Sequence, residues 1–145
     1  MKPISLTRQK RSKGSSIVES ALIFLALSTM LIGAFDFGQF LFVHQALVER
    51  ARRAARWGAV NNPNDATSIR NMVLYYSALG PADGQTPYMG LTTANVQTSV
   101  SGVGTDDHRL LVRITGFRYT VLSPYIAGGY TGPSIDVLMP LGTTN

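Results

Sequence analysis

The 145-residue chain contains no cysteine and only two histidines. Without a thiol it can form neither a disulfide framework nor a cysteine nucleophile. His44 and His108 are far apart in the sequence, which indicates neither a metal cluster nor a nucleophilic relay. The run Asp106-Asp107-His108 is more typical of a polar turn than of a cation site. We therefore expect no enzyme activity, no cofactor, no bound metal and no small-molecule substrate.

Lysine is absent after residue 13. Five of the 13 basic residues precede Gly14, where no acidic residue occurs: Lys2, Arg8, Lys10, Arg11 and Lys13. The rest of the chain carries eight basic and eight acidic residues, so it is formally neutral. The net positive charge is thus confined to residues 1–14, which indicates a basic leader peptide and not a nucleic-acid-binding surface.

Charge is nearly absent from residues 17–35, where Glu19 is the only ionisable side chain. At about 1.5 Å per residue, a helix of this length reaches ~28 Å, close to the ~30 Å thickness of the hydrocarbon core of a bilayer. We expect a single transmembrane segment in the inner (cytoplasmic) membrane. The basic leader beside it predicts a cytoplasmic amino terminus and an extracytoplasmic carboxy-terminal part. A secretory signal peptide cut near Ala26 and Ser28 is the alternative, although that cut would divide a continuous apolar run.

Glu19 is costly in this segment, because a carboxylate near the middle of a span costs about 2.5–3.5 kcal/mol on insertion scales. Cleavage between Gly14 and Ser15 would create an α-amino group four residues before Glu19. A cation and an anion at this helical spacing, or on neighbouring subunits, can neutralise each other in an apolar medium. The alternative is a carboxylate that extends toward the membrane surface without a partner.

Helical periodicity continues to residue 60, so we predict one long helix over residues 15–60. Small or apolar residues fall on one side of its second half: Leu47, Val48, Ala51, Ala54, Ala55, Gly58 and Ala59. Charged residues fall on the other: Glu49, Arg52, Arg53 and Arg56. A basic DNA-binding helix is the alternative, but the lack of lysine and the expected orientation oppose it. Pro63 ends the helix.

Residues 61–145 predict a small extracytoplasmic α+β domain. A second helix should begin at Asn64 or Asp65 and run through Leu79, where Gly80 and Pro81 close it. Residues 96–100 and 110–114 alternate as two strands of a hairpin. We expect Gly116 to form a bulge, after which Phe117, Tyr119 and Val121 continue the second strand. The third strand covers residues 135–139. The predicted fold class is thus α+β, with one helix packed on a three-stranded antiparallel sheet.

The amino-terminal half resembles the TadE-like proteins of the tight-adherence (Flp-type) pilus system. The resemblance rests on these runs: Ser16-Ile17-Val18-Glu19-Ser20-Ala21-Leu22, Phe35-Asp36-Phe37-Gly38-Gln39, Gln45-Ala46-Leu47 and Ala51-Arg52-Arg53-Ala54-Ala55-Arg56. Phe117-Arg118-Tyr119-Thr120 and Leu122-Ser123-Pro124 are similar in pattern to the same family. Two positions depart from it: Ser20 stands where an aromatic residue usually follows the glutamate, and Gln39 where a basic residue is common.

The resemblance implies a minor pilin-like subunit (pseudopilin) that takes part in pilus assembly after a prepilin peptidase cuts between Gly14 and Ser15. Its partners would be the membrane, the peptidase, other pilins or pseudopilins and the assembly platform. The subunit would either stay in the membrane or enter the fibre. Two alternatives remain: an uncleaved membrane-anchored adaptor or binding protein of a secretion or envelope system, and an exported enzyme or binding protein with an unfamiliar site.

Overall fold

A computed structural model of the protein describes residues 13–120 and 129–142. The helices are α1 (Lys13–Val60) and α2 (Ala66–Tyr75), and short 3-10 turns cover Tyr88–Gly90 and Thr93–Asn95. The strands are β1 (Val96–Ser101), β2 (Arg109–Ile114), β3 (Arg118–Tyr119), β4 (Tyr130–Thr131) and β5 (Ile135–Pro140). The predicted α+β fold class is confirmed. Leader residues 1–12, Val121 and the run Leu122-Ser123-Pro124 lie outside the described residues.

α1 is a single helix of 48 residues, about 72 Å long at ~1.5 Å per residue. It contains no proline, and it ends where the backbone N–H of Asn61 donates to the carbonyl of Trp57 at 3.0 Å, two residues before Pro63. None of residues 14–42 is buried, whereas Val43 is the first of a buried series. The first half of the helix therefore buries none of its described side chains, and the other half is part of the core.

The buried half of α1 packs against α2 and against the sheet. Leu47, Ala51, Ala54 and Ala55 are fully buried, and Glu49, Arg52, Arg53 and Arg56 are exposed, as the helical periodicity predicts. The rest of the core comes from α2, the strands and the segments beside them: Ile69, Val73, Leu74, Leu91, Val96, Leu110, Val112, Ile114, Tyr119, Ile135 and Leu141. The small alanine side chains let the α1 backbone lie close to α2 and the sheet. The second half of α1 is therefore the central helix of the core.

The main sheet has the order β1-β2-β5 and is antiparallel throughout. Ile114 pairs with Val96 on one side and with Ile135 on the other, so the apolar positions of all three strands share one face. That face packs under α1 and α2. The three predicted strands are confirmed, and both helices cover the sheet.

The predicted continuation of the second strand after Gly116 is wrong. β2 ends at Ile114, and Gly116 adopts a left-handed conformation (φ +67°) that directs the chain away from the main sheet. β3 then pairs with β4 in a separate two-stranded sheet, in which Tyr119 lies opposite Tyr130. Alternating apolar residues on both sides of Gly116 could not distinguish one strand from two.

The predicted end of the second helix at Leu79 is also wrong. α2 ends at Tyr75, because Tyr76 takes a left-handed conformation (φ 59°), and Leu79 is fully exposed. The predicted start is correct: the Asp65 carboxylate accepts a hydrogen bond from the Ser68 backbone N–H at 3.0 Å. That bond holds the pKa of Asp65 below its usual value.

We predict that Gly58→Val destabilises the protein by about 1–3 kcal/mol, the usual cost of overpacking a core. A Cβ at Gly58 would lie 2.8 Å from Ile69 Cδ1 and 2.8 Å from Leu110 Cδ2, both in fully buried side chains. Gly38→Val on the same helix is the control, because no atom lies within 4 Å of a Cβ there. Thermal unfolding in detergent, followed by circular dichroism, should separate the two variants. Equal melting temperatures would contradict the close packing at Gly58.

Candidate functional site

Residues 14–42 of α1, called here the free helix, form an apolar cylinder. Its large side chains are mostly exposed, for example Phe24 (74%), Met30 (77%) and Leu31 (72%). α1 is the one helix among the described residues that is long and apolar enough to cross a membrane, and none of its most apolar 18-residue window is buried. Side chains of this kind are stable in contact with lipid or with another apolar helix, and not with water.

Two polar side chains of the free helix bond to its own backbone. The Ser20 hydroxyl donates to the Ser16 carbonyl at 2.9 Å, and the Thr29 hydroxyl donates to the Leu25 carbonyl at 2.8 Å. Such bonds to the carbonyl four residues earlier leave few unpaired polar groups in an apolar medium. Ser20, which departs from the family pattern, is therefore compatible with the span.

The predicted cleavage and assembly residues lie in the first turns of the free helix. Gly14, Ser15 and Glu19 are all exposed, and apart from the local helix backbone no atom of the described residues lies within 4 Å of a Cβ built at Gly14. The Gly14–Ser15 bond therefore lies on an exposed stretch of α1. Glu19 lies one turn further on, on the same helix.

The predicted family-motif residues divide into two groups with different environments. Phe37 and Gly38 are exposed, and Asp36 is half-buried. Further along α1, the three alanines are in the core while the two arginines point outward: Ala51, Ala54, Ala55, Arg52 and Arg56. The structure does not bring the two groups together in one site. The first belongs to the free helix and the second to the packing of α1 against the rest of the protein.

Aromatic side chains meet where the free helix enters the core. This aromatic cluster consists of Phe40, His44, Phe117, Tyr119 and Tyr130. The Phe40 ring centroid lies 4.7 Å from that of Tyr119 and 6.4 Å from that of Tyr130, and the Phe117 and Tyr119 rings meet edge to face at 4.9 Å. His44 Nδ1 is 3.2 Å from the Tyr119 hydroxyl. Burial raises the pKa of Tyr119, and the neighbouring Tyr130 adds to the effect.

A small cavity lies beside the aromatic cluster, with a volume of about 60 Å³. It is lined by Gln39, Phe40, Val43, Met89, Phe117, Arg118, Tyr119 and Thr120. Pockets for small molecules usually measure roughly 300–1,000 Å³, so this cavity has room for only a few waters. Within the two described ranges, no group of three or more histidine, aspartate or glutamate side chains is arranged to hold a metal ion.

Arg50 is the charged side chain that the structure buries, with 8% of its surface exposed. Its guanidinium lies 3.9 Å from the centroid of the Tyr76 ring and 3.8 Å from that of the Tyr88 ring. Arg53 lies 4.7 Å from the Tyr76 centroid. Contacts of this kind between a cation and an aromatic ring are worth about 0.5–2 kcal/mol, more when desolvated. Burial lowers the pKa of Arg50, yet a guanidinium remains protonated at physiological pH.

The guanidinium of Arg50 also completes the carboxy-terminal end of α2. A helix leaves its last four carbonyls without intrahelical donors. Arg50 Nη1 donates to the Val73 carbonyl at 2.8 Å and, more weakly, to the Leu74 carbonyl at 3.4 Å. The Tyr76 N–H donates to the Met72 carbonyl at 3.2 Å, and Gln85 Nε2 donates to the Tyr75 carbonyl at 3.1 Å. Every carbonyl of the last turn is therefore paired, and α1 supplies two of those bonds.

Sequence reasoning missed the role of Arg50 because it assigned arginines to the solvent-facing side of α1. The signal was present, since residue 50 follows Leu47 by three positions and precedes Ala54 by four. At 100° per residue these three residues share one side of the helix. A lone arginine within an apolar stripe indicates a buried cation with specific acceptors.

The outward face of the main sheet carries an ion pair and little else that is charged. Arg113 Nε and Nη2 each donate to the Asp136 carboxylate at 2.7 Å, across neighbouring strands. This two-bond contact raises the pKa of Arg113 and holds the pKa of Asp136 below its usual value. Asp107, in the predicted polar turn, pairs with Arg109. Asp136 and Asp107 thus each pair with an arginine of β2.

An apolar helix that can cross a bilayer, continuous with a small α+β unit packed on its far half, fits a single-pass membrane protein. Residues 14–56 match the family model described as TadE-like protein, so the resemblance predicted from the sequence is confirmed over that segment. The match covers less than a third of the chain, all of it within α1. This match suggests a membrane protein associated with the tight-adherence pilus, and the matched family is a structural one. No curated protein and no solved structure matches the chain.

We predict that Arg50→Met lowers the free energy of unfolding by about 1.5–3 kcal/mol, the range for hydrogen bonds that involve a charged group. The variant keeps a long side chain but leaves the Val73 and Leu74 carbonyls without their donor. Arg50→Lys should recover only part of the loss, because an ammonium does not stack flat between two tyrosine rings.

The matched control is Arg56→Met, an exposed position on the same helix, where the change should stay within about 0.5 kcal/mol. Urea unfolding of the detergent-solubilised protein provides the measurement. If Arg50→Met and Arg56→Met unfold at the same urea concentration, Arg50 does not stabilise the end of α2.

Proposed function

We propose that the protein is a minor pilin-like subunit (pseudopilin) that takes part in assembly of a tight-adherence type IV pilus. The single observation that carries the proposal is the free helix: 29 residues with no buried side chain, inside the segment that matches the TadE-like family model. A helix of this kind needs lipid before assembly and can exchange it for the apolar helices of other subunits afterwards.

Processing would occur at the cytoplasmic end of the free helix. The five basic leader residues favour a cytoplasmic amino terminus, with the sheet and α2 on the extracytoplasmic side of the inner membrane. A prepilin peptidase would then cut between Gly14 and Ser15. The exposure of both residues supports this step. The cut removes all five leader charges and leaves a formally neutral chain.

Glu19 would act after cleavage, as the partner of a positive amino group. The new amine on Ser15 lies four residues before it in the same helix, about 6 Å along the axis. Glu19 is exposed on the free helix, so the amine of a neighbouring subunit could reach it as well. Pairing offsets the cost of holding a carboxylate in apolar surroundings, and between subunits it fixes their relative height.

The remaining part of the protein would face its partners outside the membrane. These partners are other pilins or pseudopilins and the assembly platform. Because the second half of α1 is part of the core, a displacement of the free helix moves the α2 and sheet unit with it. The packing therefore supports a subunit whose membrane segment and outer part act as one piece during assembly.

We expect Gly14→Leu to block removal of residues 1–14, because a side chain at the cut would obstruct the extended peptide in the peptidase cleft. Mass spectrometry of the membrane-extracted protein reads out the new terminus directly. Gly33→Leu is the control: Gly33 lies on the same helix, also with no atom within 4 Å of its Cβ, and leucine there should leave processing intact. Normal maturation of Gly14→Leu would remove support for the cleavage site. An unprocessed wild-type chain in a strain that forms pili would favour the uncleaved adaptor.

We expect Glu19→Ala to spare membrane insertion and to reduce pilus assembly. Loss of the carboxylate favours insertion by up to about 2.5–3.5 kcal/mol, while the positive amine loses its partner. Glu49→Ala, exposed on the same helix beyond the free segment, should leave assembly unchanged. Sheared pilus yield and membrane fractionation measure the two effects separately. Equal pilus yields from both variants would show that Glu19 has no role in assembly.

A further inference from the structure

The folded unit consists of residues 43–60 of α1 together with α2 and both sheets. The free helix meets it at a defined height, that is, at a defined position along the α1 axis. Phe40 packs against Tyr119 of β3 and Tyr130 of β4. The contacts of α1 with α2 and the main sheet lie further along, as at Gly58, which adjoins Ile69 and Leu110. The β3–β4 sheet is therefore the part of the folded unit nearest to the apolar segment.

That height corresponds to the edge of a bilayer. Phe40 follows Glu19 by 21 residues, about 31 Å along the helix, which nearly equals the ~30 Å hydrocarbon thickness. If the hydrocarbon core ends instead at residue 35, the end of the predicted span, Phe40 lies about 7.5 Å beyond its edge. The headgroup layer adds roughly 5–7 Å on each side. Either placement puts Phe40 and the β3–β4 sheet within or directly beside the headgroups.

Exposed apolar or aromatic side chains lie near Phe40, both on α1 and on the β3–β4 sheet. Phe37 is 62% exposed and Phe42 is 71% exposed, beyond the predicted end of the span, and Leu41 between them is 42% exposed. Tyr130 is 52% exposed although its ring adjoins Phe40. A tyrosine with an apolar ring and a polar hydroxyl is suited to the membrane–water boundary. Water alone would leave this apolar surface unpaired.

We propose that the β3–β4 sheet, with Phe37, Leu41 and Phe42 of α1, rests on the lipid headgroup layer of the bilayer that α1 spans. The occupant of this surface is lipid because the surface is continuous with the lipid-exposed free helix and lies at the height of the headgroups. Contact at two points, the helix and the sheet, fixes the tilt of the folded unit relative to the membrane. The inference depends on α1 crossing the bilayer and is independent of leader cleavage.

Tryptophan fluorescence can test this contact, since the chain has a single tryptophan, Trp57. Trp57 lies 17 residues beyond Phe40, about 25 Å further from the membrane along α1. The test variant combines Trp57→Phe with Tyr130→Trp, reconstituted at low protein-to-lipid ratio in phosphatidylcholine vesicles brominated near the headgroup end of the acyl chains. We expect the new tryptophan to lose a larger fraction of its emission than Trp57 does in the unaltered chain.

Two further variants make each outcome decisive. Phe24→Trp in the Trp57→Phe background reports on the span itself, and its quenching by bromine confirms insertion. If Phe24→Trp is quenched and Tyr130→Trp is no more quenched than Trp57, the headgroup contact is wrong. Should Tyr130→Trp fail to fold, Phe42→Trp on the helix gives the same answer, because its depth sets the height of the β3–β4 sheet.

Another copy of the chain could cover the same surface. In that case the emission of the Tyr130→Trp variant would shift to shorter wavelength as the protein-to-lipid ratio rises, without quenching by bromine. This outcome would overturn the lipid contact and assign the surface to self-association. Failure of Phe24→Trp to be quenched would instead overturn the membrane span, and the headgroup contact with it.

Discussion

The buried guanidinium of Arg50 is the contact on which the rest of the structure depends. It pairs two carbonyls at the end of α2 and lies between the rings of Tyr76 and Tyr88. Without it, the last turn of α2 would be held against α1 with two carbonyls unpaired, at a total cost of about 1.5–3 kcal/mol. The same contact fixes the left-handed turn at Tyr76 and the 3-10 turn at Tyr88–Gly90. One side chain of α1 thus orders the connection from α2 to the sheet.

α1 serves two different surroundings with one uninterrupted backbone. Up to Phe42 none of its described side chains is buried, although Phe40 packs against Tyr119 and Tyr130, and from Val43 onward one side of the helix forms the centre of a core. Small residues make the second role possible, since Ala51, Ala54 and Gly58 allow α2 and the sheet to approach the helix axis. Large residues make the first role possible, since they present a wide apolar surface to lipid. The aromatic cluster closes the boundary between the two.

Much of this architecture could be predicted from the sequence, because periodicity reports burial directly. The 3.6-residue period of α1 and the two-residue period of β1, β2 and β5 both identified the correct faces. The errors arose where the apolar periodicity continues after the backbone has left its helix or strand. Tyr76 extends the apolar pattern of α2, yet its backbone is left-handed. Phe117 extends the alternating pattern of β2, yet β2 has already ended at Ile114. The burial of Arg50 could have been predicted from its spacing to Leu47 and Ala54, whereas its acceptors, Val73 and Leu74, are distant in sequence. The division of the chain at residue 61 and the roles of Gly14 and Glu19 stay predictions.

The position of the core along α1 has a physical consequence for any role in an assembly. Helices that pack side by side must present apolar surface to one another, and here that surface ends where Phe40 meets the β3–β4 sheet. A neighbour that slides along the free helix therefore meets the folded unit at a fixed height, about 31 Å from Glu19. In the proposed assembly, the Glu19 carboxylate would set the register of neighbouring subunits at one end, and the sheet would limit their approach at the other. Because the second half of α1 is buried against both α2 and the sheet, we expect this spacing to be the same in lipid and in an assembly.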